Sequence, residues 1–176
     1  MHLKRFTDRL SESGVGHKTD EPMSLHTTFG VGGNADVFVM PETADEIVAV
    51  LKAAREFDVP VLIVGNGSNL LVSDAGIEGA VIRTTGLSDI SVEGSTITAL
   101  CGAKLSALCL DAESNSLTGL EFAYGIPGTV GGALFMNAGA YGGEMKDCVI
   151  SARYIDDDLT VRTAKAEDLD LGYRTS

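Results

Sequence analysis

Two glycine-rich stretches of this 176-residue chain have the make-up of ligand loops. The first, GNGSN (Gly65, Asn66, Gly67, Ser68 and Asn69), directly follows the apolar run VPVLIV. A strand that leads into a glycine-rich turn lets successive backbone N–H groups converge on an anion. Gly65 and Gly67 permit positive φ and close backbone approach, and Ser68 and Asn69 add side-chain donors. A diphosphate suits such a nest. The same residues also read as a tight turn between two strands, because Asn-Gly is a strong hairpin signal. The loop by itself leaves both readings open.

The second stretch, GIPGTVGGALFMNAGAYGGEMKD, runs from Gly125 to Asp147 and holds seven glycines beside Phe135, Met136 and Tyr141. It is too apolar for a linker, and each glycine costs a helix up to about 1 kcal/mol relative to alanine. Something that approaches the bare backbone has to offset that cost. Pro127 is expected at the first position of a helical turn, whose N-terminus would favour negative charge. The small residues around it leave room for a planar group. Together the two loops suggest one extended ligand, its diphosphate on the first and a flat, partly anionic ring on the second.

Rival phosphate motifs fit less well. No Lys-Ser or Lys-Thr follows a glycine run, as a P-loop requires. GVGGNA (Gly30–Ala35) has the letters of a dinucleotide fingerprint but precedes a strand instead of joining a strand to a helix, so the Rossmann context is missing.

The elements that must carry these loops are legible from periodicity. LKRFTDRL suits a short helix, followed by a loop to about Glu21. ADVFVM reads as a strand, and TADEIVAVLKAAREF as a helix with Thr43 and Glu46 in a capping-box pattern and Ile47, Val50, Leu51 and Ala54 on one face. VPVLIVG is a continuous apolar run, expected to be a strand covered on both sides. NLLVS, the turn DAGIEG and AVIRT follow. ISVEGSTITAL reads as a hairpin turning at Glu93–Ser95. AKLSALCLDAESN is a second amphipathic helix, with Leu105, Leu108, Cys109 and Ala112 inward. CVISARYID and LTVRTA form strands around the charged turn Asp156–Asp158, and KAEDLDL a short helical piece.

Composition sets outer bounds. At 44% hydrophobic and 22% charged the chain is globular rather than disordered. A net charge of −12 argues against nucleic acid or an anionic membrane as partner, because both need clustered Lys and Arg. A small anion held by local donors is compatible with it. No apolar run has the length of a membrane span, and the N-terminus lacks a signal-peptide core, so the expected location is cytoplasmic. Cys101, Cys109 and Cys148 lack metal or disulfide spacing and read as reduced packing residues. His2, His17 and His26 are too scattered to ligate a metal, so no metal is expected. His26 reads as an ordinary loop residue. Tyr124 and Tyr141 read as packing or ring contacts alike, and Lys104 and Lys146 as solvated.

At this point the residues resemble a known family. TTFGVGGNADVFVMPETADEI, VGNGSNLLVSDAGIEGAVI, LTGLEFAYGIPGTVGGALFMNAGAYGGEMKDCV and LGYRTS occur in the order found in UDP-N-acetylenolpyruvoylglucosamine reductases (UDP-N-acetylmuramate dehydrogenases) of peptidoglycan synthesis. The resemblance covers about Ser24 to Ser176. It implies an α+β, vanillyl-alcohol-oxidase-type (PCMH-type) FAD-binding domain made of two subdomains. These would be residues 24–86 and 87–176, behind an N-terminal extension 1–23. It implies noncovalent FAD, with the diphosphate on Gly65, Asn66, Gly67, Ser68 and Asn69. Ile126, Pro127, Gly128, Thr129, Gly132, Asn137, Ala138 and Gly139 would lie along the flavin. NADPH would be the reductant and an enolpyruvyl ether of a UDP-sugar the substrate. Arg174 matches the family's catalytic arginine, and Tyr173 beside it is a candidate for the substrate. The family's proton donor and glutamate lie in a further substrate domain, so the chain reads as an N-terminal portion or an abridged version, inactive in isolation. Another FAD-linked oxidoreductase of the same fold class, or a flavin-binding module without turnover, are the competing readings.

Overall fold

A computed structural model describes residues 2–176, which divide into two compact units, residues 2–87 and 88–176. The first unit opens with α1 (His2–Glu12) and β1 (His17–Pro22), continues through β2 (Asn34–Val39), α2 (Ala44–Glu56) and β3 (Val61–Val64), and closes with β4 (Ile77–Arg83). The sheet order is β1-β2-β4-β3. β1 runs antiparallel to β2, whereas β2 and β3 both run parallel to β4.

Two layers cover this sheet. On one face α1 and α2 pack Phe6, Leu10, Val50, Ala53, Ala54 and Phe57 against Val37, Val39, Ala80 and Ile82. Thr43 caps α2 by accepting from the Glu46 N–H, while the Glu46 carboxylate accepts from Glu42 rather than closing the box on Thr43. On the opposite face Met23, Ala35, Phe38, Val64, Val72 and Val81 form a second cluster under the loops. Ala35 and Val37 point to opposite faces because the register slips between them, at a bulge where Asp36 accepts from the Gly79 N–H.

Two expectations for this unit change. The segment after α1 is not a loop but the edge strand β1, and α1 itself supplies Phe6 and Leu10 to the core. β3 is not the strand covered on both sides: it lies at the sheet edge, with Ile63 55% exposed. β4 takes the central place, with Ala80, Val81 and Ile82 fully buried between the layers. NLLVS forms no strand, and residues 65–76 cross irregularly from β3 to β4.

The second unit starts with the hairpin β5 (Ile90–Glu93) and β6 (Thr96–Ala99) and the helix α3 (Leu105–Ser114). Leu105, Leu108, Cys109 and Ala112 of α3 are all buried, the face that the sequence indicates. The glycine-rich segment then supplies α4 (Val130–Phe135) and a two-residue pair, β7 (Gly139–Ala140) with β8 (Gly143–Glu144). β9 (Ser151–Ile155) and β10 (Val161–Lys165) follow as an antiparallel hairpin, with Asp156 closing the turn by accepting from Thr160 N–H and the Arg162 guanidinium. The core joins Leu105, Leu108, Phe122, Ala123, Ala133 and Met145. No helix among the described residues is long and apolar enough to cross a membrane.

Candidate functional site

The GNGSN loop leaves the carboxyl end of β3, which lies parallel to β4, so the hairpin reading of Asn-Gly is excluded. Carboxyl ends of parallel strands are where open α/β sheets bind ligands. Gly67 has φ +63°, the turn of the chain that an anion nest requires. Its second demand is internal. A Cβ at Gly67 would lie 2.0 Å from the His26 carbonyl oxygen, and Gly67 is buried. Gly65, Asn66 and Ser68 are half-buried and Asn69 is exposed, so these four residues form the accessible part of the loop.

A second loop, residues 23–33, is stitched to the first almost wholly through backbone. Thr28 N–H donates to the Gly67 carbonyl and Gly33 N–H to that of Ser73, while Met23 N–H donates to the Gly33 carbonyl and closes the 23–33 loop on itself. Gly32 and Gly33 of GVGG serve this stitching, since a Cβ at Gly32 would meet Val72 at 2.6 Å and one at Gly33 the Asp74 carbonyl at 2.3 Å.

His26, taken as a loop residue from sequence, proves to be held on three sides. Its ring stacks on Phe38 with centroids 4.1 Å apart, its Nε2 is 2.8 Å from Glu21 Oε1, and its Nδ1 is 3.3 Å from Arg83. Glu21 also accepts from Lys18, and this bond, then the one from His26, holds its carboxyl below the ordinary range. Arg83 lies 57 positions further along the chain and Phe38 on β2, which is why sequence reading missed the cluster.

In the second unit the seven glycines of the segment separate into classes. Gly131, Gly139 and Gly143 are required by the unit's own packing: a Cβ there would meet Cys101 Cβ at 2.7 Å, the Gly143 carbonyl at 2.8 Å and the Phe122 ring at 2.9 Å. Gly142 is required by φ +89°. Gly125, Gly128 and Gly132 meet nothing closer than 3.4 Å. Their bare backbone has no internal cause, and these are the positions where a flat ligand could lie.

The expected helix start also shifts. α4 begins at Val130 with Thr129 as its cap, not at Pro127. Its leading amides are already engaged: Val130 with the Ala103 carbonyl, Gly131 with Cys101 and Gly132 with the Thr129 hydroxyl. The N-terminus of α4 is therefore not an open anion site, contrary to the sequence expectation.

The remaining flavin-side positions divide similarly. Thr129 is buried and its hydroxyl serves the cap. Ile126 and Ala138 are partly buried against the core, whereas Pro127 is exposed. Asn137, only 5% exposed, gives its amide N–H groups to Glu144 and to the Gly172 carbonyl and accepts from the Lys146 N–H. Gly139 is packed within the β7–β8 pair. Thr129, Asn137 and Gly139 are thus occupied internally, and any contact they make with a ligand would come through their backbone.

The Asn137–Gly172 bond, with a second from the Ser176 hydroxyl to the Phe135 carbonyl, fastens the end of the chain to the glycine-rich segment. Gly172 and Thr175 close a tight turn that carries Tyr173, 93% exposed, and Arg174, at φ +56°. The turn thus holds an exposed arginine beside the segment. The thiols take no part in this: burial pushes Cys109 and Cys148 up, away from thiolate. No cluster among the described residues could hold a metal ion.

Residues 35–165 match the family model described as FAD binding domain. The UDP-N-acetylenolpyruvoylglucosamine reductase of Clostridium botulinum (strain Hall) is 50% identical over 174 residues, which is 99% of this chain and 56% of that relative. The crystal structure of the reductase from Thermus caldophilus is similar with a TM-score of 0.76 at 34% identity, covering 92% of this chain and 56% of that one. A solvent-stable cholesterol oxidase, at 19% identity and a TM-score of 0.71 over 89% of this chain and 34% of its own, shares the fold alone. The chain spans about half the length of the curated relatives it matches.

Proposed function

The chain belongs to the FAD binding domains and, among them, to the UDP-N-acetylenolpyruvoylglucosamine reductases, and from that premise we propose that it holds FAD noncovalently for the reduction of an enolpyruvyl sugar nucleotide. Its α+β fold is the vanillyl-alcohol-oxidase type expected from sequence. The proposed reaction converts UDP-N-acetylglucosamine enolpyruvate into UDP-N-acetylmuramate with NADPH, a step of cytoplasmic cell-wall precursor synthesis. Because the chain spans about half of its relatives' length, cofactor binding is proposed for this chain and turnover for the whole reductase.

The observation that carries this reading is the positive-φ glycine loop at the carboxyl end of the parallel β3–β4 pair. Gly65, Asn66, Ser68 and Asn69 are assigned to the diphosphate, with Gly67 shaping the turn. In the other unit the uncrowded backbone at Gly128 and Gly132, flanked by Pro127, is assigned to the flavin ring, because a planar group needs that space and no internal packing does. FAD supplies the hydride-carrying chemistry between NADPH and the enolpyruvyl double bond.

The protein's own contribution at the substrate is electrostatic. Hydride addition builds charge on the enolpyruvyl carboxylate, and a fixed cation there stabilises the transition state more than the ground state. Arg174 has the planar fork that suits a carboxylate, and its turn is fastened to the glycine-rich segment. Tyr173 is assigned to positioning the substrate.

The test is an absorbance spectrum of the purified chain after incubation with FAD and gel filtration. Flavin bands retained with the protein, and released intact on denaturation, are expected. A chain that emerges free of flavin at micromolar concentration contradicts the assignment. In the whole reductase, NADPH should bleach the bands and the enolpyruvyl substrate restore them. Bleaching without restoration would favour a flavoenzyme acting on another substrate.

A further inference from the structure

We propose that Arg83 is a phosphate-binding residue of the first unit, aimed by His26, and that it contacts the FAD diphosphate beside the GNGSN loop. The inference rests on the FAD reading above and adds a residue that neither the loop sequence nor the resemblance identifies.

Placement comes first. In the β3–β4 ladder Arg83 is the register partner of Val64, the residue immediately before Gly65. It therefore stands at the carboxyl edge of the parallel pair, abreast of the start of the loop. It shares a sheet face with Val81, the face under the two stitched loops.

The bonding state comes next. Arg83 is half-buried, and its guanidinium has no carboxylate within ion-pair distance among the described residues. Its hydrogen bond there goes to His26 Nδ1, at 3.3 Å. Arginine can only donate, so Nδ1 must be the accepting nitrogen, and the ring proton sits on Nε2, donated to Glu21 Oε1 at 2.8 Å. His26 in this tautomer is neutral. Protonating it would place a second N–H against the guanidinium. Lys18 and Glu21 offset one another, which leaves the cluster one net positive charge, located on Arg83.

A half-buried cation without a counter-ion is an unfavourable arrangement for folding alone. It is a favourable one for an anion that arrives later, particularly on a chain with net charge −12. The orientation is fixed in advance: the imidazole is stacked on Phe38 and bonded to Glu21, and the His26 carbonyl is pressed against Gly67. The same residue thus sets the loop backbone through its main chain and the arginine through its ring. Two oxygen-bearing phosphates are the ligand chemistry that uses both a nest of amides and a planar fork.

The experiment titrates the full chain with FAD and with riboflavin, which lacks the diphosphate, at several potassium chloride concentrations. Arg83→Gln is expected to weaken FAD about 10- to 100-fold, the range for loss of a charged hydrogen-bond partner. It should flatten the salt dependence and leave riboflavin unchanged. Its FAD-free melting temperature should not fall, since no carboxylate loses a partner. His26→Phe keeps the stack and removes the acceptor, and is expected to weaken FAD by a smaller factor with riboflavin again unchanged. Equal FAD affinity in folded Arg83→Gln overturns the proposal, as does an equal loss of FAD and riboflavin, which would mark a structural role. Should Arg83→Gln not fold, Arg83→Lys carries the test, because a point charge cannot reproduce the fork: severalfold weaker FAD is expected, and wild-type affinity overturns the assignment. Failure of the wild-type chain to bind FAD would instead overturn the cofactor reading on which all of this stands.

Discussion

Alanine placed at Gly131 and, separately, at Gly132 should move stability in opposite directions, although the two positions are neighbours in α4. Both substitutions gain helix propensity, up to about 1 kcal/mol. Only the first meets an obstacle. A Cβ at Gly131 would lie 2.7 Å from Cys101 Cβ and 3.0 Å from the Cys101 carbonyl oxygen. That carbonyl already accepts from the Gly131 N–H at 2.8 Å, so it cannot retreat without losing the bond. Overpacking of this kind costs about 1–3 kcal/mol. At Gly132 the nearest atom is the hydroxyl of its own cap, Thr129, at 3.4 Å. The shared propensity gain cancels in the comparison, so the variants should differ by the overpacking cost alone. At roughly 2–4 °C per kcal/mol for a chain of this size, Gly132→Ala should melt several degrees above Gly131→Ala without FAD. FAD titration supplies the second half: Gly132→Ala, the more stable protein, should bind FAD more weakly because its methyl occupies the space assigned to the flavin. Equal melting temperatures would refute the division of the glycines into packing and ligand classes. Undiminished FAD affinity in Gly132→Ala would refute the placement of the ring.

Gly67→Val should lose FAD together with the fold of the first unit, because its Cβ would clash with the His26 carbonyl whether or not ligand is present. Circular dichroism of the FAD-free variant checks this, and a native spectrum would contradict it. Glu21→Gln should lower the melting temperature near neutral pH. The Glu21 pKa is depressed in the folded state by Lys18 and then His26, so its stabilisation is complete above the unfolded value of about 4.3 and is lost as pH falls through the folded one. Melting curves of variant and wild type should therefore differ above the unfolded value and converge only as pH falls through the depressed folded one. Asn137→Ala removes three hydrogen bonds of a buried side chain and should cost about 1–3 kcal/mol. Hydrogen exchange should quicken most over residues 171–176, and unchanged protection there would mean that the end of the chain is held by other contacts.

How much of this was legible beforehand follows from what each signal encodes. α2 and α3 were plain because their buried residues recur at helical spacing, and the β5–β6 and β9–β10 hairpins because turn residues separate alternating runs. β1 was missed because HKTDEP buries only Glu21 among its six residues, so an edge strand of this kind has no apolar alternation to detect. β3 was expected to be covered on both sides because VLIV is a continuous apolar run, yet sheet order is decided by crossovers that no local pattern carries, and β3 lies at the edge. The glycines show the limit most clearly. A missing side chain looks the same in sequence whether the neighbour is Cys101, Phe122 or a cofactor, and only the coordinates of Gly131, Gly143 and Gly132 tell these cases apart. His26 was illegible for the same reason: Glu21, Phe38 and Arg83 meet it only after folding.

The stitching of residues 23–33 to residues 65–76 has a consequence for how this protein can vary. Its bonds run from main chain to main chain, as between Thr28 and Gly67 and between Gly33 and Ser73. The glycines at 32, 33, 67 and 76 are fixed by contacts or angles that no other residue tolerates. Leu25, Phe29, Val31 and Leu71 on the same loops are exposed and carry none of that scaffolding. Shape and surface chemistry are thereby assigned to different residues. A lineage can exchange the outward-facing side chains, and with them what the face prefers to touch, while the path of the backbone beneath stays the same.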